Sequence, residues 1–141
     1  MKRERPFVSQ LVSDVQLPKM FKVRQHFLRP QIEVDKIPEI IFNALSEDKF
    51  ASQIKPNMRI AITAGSRGVA NVALITKSIA DFVKSKGAKP FVVPAMGSHG
   101  GATAEGQRDI LAGYGIVEDS IGCPVISSMD VKNIGKNEEG T

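Results

Sequence analysis

The 141 residues suit one domain, a size that domains commonly have, and 42% hydrophobic with 24% charged residues describes a folded globular chain rather than a disordered one. The single cysteine, Cys123, excludes an intrachain disulfide and a CxxC metal site. A net charge of +4 with only 6% aromatics and no tryptophan fits solvated basic side chains, not a nucleic-acid surface that pairs cations with stacking rings.

Lys2-Arg3-Glu4-Arg5 resembles the basic start of a signal peptide. The segment that follows, Pro6 to Pro18, carries Ser9, Gln10, Ser13, Asp14 and Gln16 and is too polar for the apolar region a signal needs. No run approaches the ~18 apolar residues of a membrane span, so no membrane partner is expected and a cytoplasmic location is the default. Met20–Phe27 alternates, with Phe21, Val23 and Gln25 on one face and Lys22, Arg24 and His26 on the other, which predicts a half-exposed strand. Asp35 is placed to cap a helix through Ile37, Ile40, Ile41, Ala44 and Leu45, with Pro38 tolerated in its first turn. Pro56-Asn57 marks a turn.

Arg59–Ala64 suits a buried strand. Asn71 then opens an amphipathic helix whose stripe is Val72, Ile75, Ile79, Phe82 and Val83, with Gly87 as its stop. Lys89–Met96 reads as the next buried strand, followed by a glycine-rich loop, a helix Ala104–Ala112 capped by Thr103, and Gly113 and Gly115 to end it. Pro124–Ser128 and Val131–Lys136 read as two further strands, with a turn over Asn137–Gly140. Strands alternating with helices predict an α/β fold with a three-layer, mostly parallel sheet of Rossmann-like or flavodoxin-like type. A turn with no returning strand at the end of the chain reads as a fragment of something longer.

One internal echo organises the functional reading. Gly65-Ser66-Arg67-Gly68 and Gly97-Ser98-His99-Gly100 are both G-S-x-G, each between an apolar strand and a helix. Two such βα units place both loops at the carboxyl edge of the sheet, where open α/β sheets bind ligands. In the first loop the glycines let backbone N–H groups approach an anion. Ser66 adds a hydroxyl, Arg67 adds a forked donor matched to phosphate, and the following helix adds positive charge at its N-terminus. A tight turn with a solvated arginine fits the same residues. The loop is neither a Walker loop nor GxGxxG.

In the second loop, three glycines around His99 expose an imidazole, a group whose ordinary titration range suits a general acid or base. The alternative is a histidine bonded to the backbone of its own turn. Ser98, Gly100 and Gly101 line the space where a substrate would lie. His26 reads as a surface residue, Cys123 as buried and inert, and Met20, Met58 and Met96 as core filling. Glu105, Arg108 and Asp109 read as a solvated helix face. With two histidines and no HxH or HExxH spacing, no metal site is expected among these residues.

From Arg59 onward, IAITAGSRGVAN, KGAKPFVVPAMGSHGGATAEGQ and the Cys123-Pro124-Val125-Ile126-Ser127-Ser128-Met129 segment resemble the N-terminal domain of lactate racemase-like, nickel pincer nucleotide-dependent proteins. The resemblance implies that residues 1–141 form the nucleotide-binding domain of a two-domain isomerase, with its own C-terminal domain as a partner. It implies a 2-hydroxy acid substrate whose α-carbon gives up hydride to the nickel pincer nucleotide while a histidine takes the hydroxyl proton. His99 matches the catalytic histidine. Gly65, Ser66, Arg67 and Gly68 match the phosphate-binding turn. The nickel-ligating histidine, the cofactor-anchoring lysine and a second catalytic histidine are implied outside this chain. Two positions depart from the pattern: Ala64 stands where an aspartate is usual, and Gly100-Gly101 stand where Arg-Pro often follows the histidine. The alternatives are a non-catalytic module that binds a phosphate or other anionic ligand, and a scaffold or oligomerisation domain.

Overall fold

Strand β1 forms where the sequence places apolar side chains at alternate positions, Arg59–Ala64. Ile62 and Ala64 are buried and Ile60 is half-buried, while Arg59, Ala61 and Thr63 are exposed. Strand β2, Lys89–Pro94, pairs with it in parallel, with Arg59 opposite Lys89 and Ala64 opposite Pro94. Val125 extends the sheet by a parallel bridge to Val92, whose N–H donates to Pro124 O at 2.8 Å and whose carbonyl accepts from Ile126 N at 2.8 Å. The computed structural model that carries these features describes Gln10, Ser13, Asp14, Gln16, residues 18–133, Gly135 and Lys136.

The chain divides into two compact units, Met1–Pro30 and Gln31–Thr141. In the second, a 3₁₀ turn at Val34–Lys36 leads into helix α1, Ile37–Leu45, and one further turn forms α2, Asp48–Ala51. Asp35 lies inside the 3₁₀ turn, and no side-chain cap bond starts α1. Helix α3, Val72–Ser85, crosses over between β1 and β2. Its deepest face is Thr76, Ala80, Phe82 and Val83; of the expected stripe, Phe82 and Val83 are buried as expected, while Val72, Ile75 and Ile79 are half-buried. The Phe82 ring meets Phe42 of α1 edge-on at 5.2 Å. Asn71 precedes α3 in a left-handed conformation, φ 59°, which asparagine tolerates better than most residues.

Helix α4, Ala104–Gly113, and the single-turn helix α5, Glu118–Ile121, connect β2 to the Val125 bridge. Thr103 caps α4 as expected, its Oγ1 accepting from Gly106 N at 3.0 Å. Leu111, Ile116 and Ile121 join Ile62, Val92 and Ala80 in one core, all on the same face of the sheet. The opposite face presents exposed Arg59, Ala61 and Thr63 and half-buried Phe91 and Val93, with the Arg59 guanidinium 5.0 Å from the Phe91 ring centre. The described residues therefore form an α/β arrangement with a small parallel sheet covered on one side. The one-sided cover explains why β1 alternates instead of being buried throughout.

Several expectations are corrected. Met20–Phe27 forms no strand, and Met20, Phe21 and Val23 are 88%, 84% and 75% exposed. Alternation supplies two faces, but a strand also needs a paired neighbour. Met20 and Met58 are therefore not core residues, whereas Met96 is. The strand expected over Pro124–Ser128 reduces to one bridge at Val125, and no strand forms over the described part of Val131–Lys136. The basic Lys2–Arg5 run and the Asn137–Gly140 turn lie outside the described residues. Cys123 is buried, and burial pushes its thiol up, as an inert core cysteine requires. No described helix is long and apolar enough to cross a membrane.

Candidate functional site

Because β1 and β2 are parallel and in register, both chains leave the sheet at its carboxyl edge. The last tie between them is Ala95 N donating to Ala64 O at 2.7 Å. The first loop begins directly after β1 at Gly65. The second begins two residues further past its strand, because Ala95 and Met96 intervene before Gly97.

Gly65, Ser66 and Arg67 border a cleft of about 480 Å³ that is otherwise lined by the end of β1 from Ile62 to Ala64, by Val69, by the first half of α3 and by Ala95. Arg67 is exposed and Ser66 half-buried. A Cβ at Gly65 would meet nothing within 4 Å, so the backbone there is open to a ligand. Gly68 packs differently: a Cβ added to it would lie 3.4 Å from the Tyr114 ring. His99 does not border this cleft.

The second loop is built from left-handed backbone. Gly97, Gly100, Gly101 and Ala102 have φ of 59°, 67°, 67° and 55°. Glycine adopts this region freely, but at Ala102 it costs about 1–2 kcal/mol, so strain collects beside the histidine. His99 is exposed, while its backbone is held: its N–H donates to Met96 O at 3.3 Å and its carbonyl accepts from Ala102 N at 3.3 Å. Ser98 and Gly101 are also exposed. Gly100 is half-buried, with its carbonyl accepting from Thr103 Oγ1 at 3.0 Å and its backbone pressed against that of Gly106. Of the three expected substrate contacts, Ser98 and Gly101 face solvent and Gly100 serves the packing of the loop on α4.

Two residues outside the motifs hold these loops. Gln107, buried on α4, donates through Nε2 to Gly97 O at 2.7 Å and to His99 O at 3.4 Å. Tyr114, at the end of α4, donates its hydroxyl to Ser66 O at 2.7 Å. The sequence does contain a signal for Gln107: it shares a helical stripe with Leu111, and a lone amide on an apolar face needs a partner. Among the described residues no group of three or more His, Cys, Asp or Glu side chains is placed to hold a metal.

Comparison of the chain with family models, with curated proteins and with solved structures finds no match.

Proposed function

We propose that the chain is the nucleotide-binding α/β domain of a lactate racemase-like isomerase, acting on a 2-hydroxy acid by hydride transfer with a nickel pincer nucleotide. The observation that supports it most is the in-register pairing of β1 and β2, which brings a phosphate-type loop and a histidine loop to one sheet edge. The finer fold reading belongs with this proposal: a three-layer, Rossmann-like sheet has cover on both faces, and the bare side at Arg59, Ala61 and Thr63 is where the third layer would pack.

The residues fit the phosphate end of such a cofactor. Ser66 and Arg67 border a cleft with a donor hydroxyl and a guanidinium fork, and Gly65 leaves its backbone accessible. They do not fit nickel ligation, because the described residues hold no group of three or more His, Cys, Asp or Glu side chains placed for a metal. When bound, the cofactor supplies the acceptor for hydride leaving the substrate α-carbon. The role of this chain is to hold the phosphate with Arg67 and to take the hydroxyl proton with the His99 imidazole. Loss of hydride leaves the carbon electron-poor unless that proton departs, so a base within hydrogen-bond reach lowers the barrier.

Arg67→Ala should weaken binding of a pyridinium mononucleotide by about 1.5–3 kcal/mol, the scale of hydrogen bonds to charged groups. Arg67→Lys should recover part of this, since lysine keeps the charge without the fork. Calorimetry with nicotinamide mononucleotide is the test, and equal affinities for wild type and Arg67→Ala would reduce the loop to a solvated turn. The second reading, a non-catalytic anion-binding module, draws on the absence of His99 from the walls of the Arg67 cleft. It predicts mononucleotide binding without turnover of any 2-hydroxy acid.

A further inference from the structure

Gln107 and Tyr114 are seven residues apart, two turns along α4, which puts them on one side of the helix. From that side each reaches a different loop. Gln107 binds two carbonyls of the histidine loop, Gly97 O and His99 O. Tyr114 binds the Ser66 carbonyl of the arginine loop, across a sequence separation of 48 residues, and lays its ring beside Gly68.

We propose that Gln107 and Tyr114 are positioning residues that fasten both loops to one helix face, so that the Arg67 loop and the His99 loop hold a common geometry. Three observations carry this. Gln107 is 5% exposed, so its amide is committed to the loop and not to solvent. The Gly100–Gly106 approach leaves no room for a side chain between the histidine loop and the first turn of α4. Leu111, between the two residues, is fully buried, which anchors the helix in the core. A rigid helix tied at both ends transmits a shift of one loop to the other, where two independently tethered loops would not.

The inference rests on reading the two loops as one ligand site. Tyr114→Phe keeps the ring against Gly68 and deletes only the hydroxyl. Gln107→Glu keeps the shape and turns a donor into an acceptor facing two carbonyls. In the full chain without ligand, each variant should speed amide hydrogen exchange about 2- to 10-fold at the bonded amides of both loops, at Val72, which donates to Val69 O, as well as at His99 and Ala102, the effect of losing one net hydrogen bond. Each should also weaken nicotinamide mononucleotide binding by a similar factor, and the double variant should lose less than the product of the two. A residue that only stabilises the fold would lower the melting midpoint while leaving affinity unchanged. Faster exchange confined to the loop that each residue touches, with multiplicative effects on affinity, would overturn the shared-helix role. Unchanged affinity in Tyr114→Phe, which preserves the packing even if Gln107→Glu fails to fold, would overturn it as well. Failure of the wild-type chain to bind the mononucleotide would instead remove the ligand-site reading on which the inference stands.

Discussion

Replacing His99 with alanine in the cofactor-loaded protein should lower turnover of its 2-hydroxy acid by about 10²- to 10⁴-fold, the usual contribution of a positioned general base. The backbone of the loop should survive, because its bonds run through the His99 N–H and carbonyl and not through the ring. Cofactor affinity should also survive, since Ser66 and Arg67 border a cleft that His99 does not touch. The loss should therefore fall on the chemical step with little change in mononucleotide binding. It should fall most on the enantiomer whose hydroxyl faces this side. Steady-state kinetics for both enantiomers, set beside calorimetry, separates the two quantities. Near-normal turnover of both enantiomers by His99→Ala would leave the histidine as a structural element of its turn.

The second large effect is on stability. Gly100→Ala should destabilise the chain by about 2–5 kcal/mol, from overpacking at about 1–3 and left-handed strain at about 1–2. The Cβ would stand 2.5 Å from Gly106 C and 2.6 Å from Gln107 N, both backbone atoms of α4 that cannot rotate away. Gly100 also has φ 67°, where a side chain is strained in any case. Gly65→Ala is the matched control: nothing lies within 4 Å of its Cβ, so stability should change by less than about 1 kcal/mol. Urea unfolding of the three proteins makes the comparison, and similar midpoints for Gly100→Ala and wild type would mean that loop and helix are not in contact in solution.

The order strand, glycine loop, helix is encoded in neighbouring residues, and for that reason the two βα units were legible. Thr103 is an example: a cap is a bond over three residues, and the sequence places it where the structure has it. The same locality explains what was not legible. Met20–Phe27 carries a strand's alternation, but whether a strand forms depends on a neighbour that the pattern does not name. The one-turn helices α2 and α5 are too short for a period to show. Strand–helix alternation gives the α/β class, whereas cover on the second face of the sheet depends on residues distant in sequence; Ile62, Val92, Leu111 and Ile121 fix one covered face.

At the site, the G-S-x-G echo identified both loops but not what holds them. Tyr114 reaches Ser66 over 48 residues and leaves no local trace. Gln107 was detectable in principle as a polar residue four positions before buried Leu111. Gly106 mattered as much as the motif glycines, because its missing side chain lets Gly100 lie against α4.

The most direct measurement is a backbone-amide NMR titration of the chain with nicotinamide mononucleotide. One site at the carboxyl edge of the sheet predicts saturable shifts of the Ser66, Arg67 and Gly68 amides together with those of Gly97 to Gly101, with a single affinity, and their loss in Arg67→Ala. Saturable shifts elsewhere on the domain, or none at either loop, would contradict it.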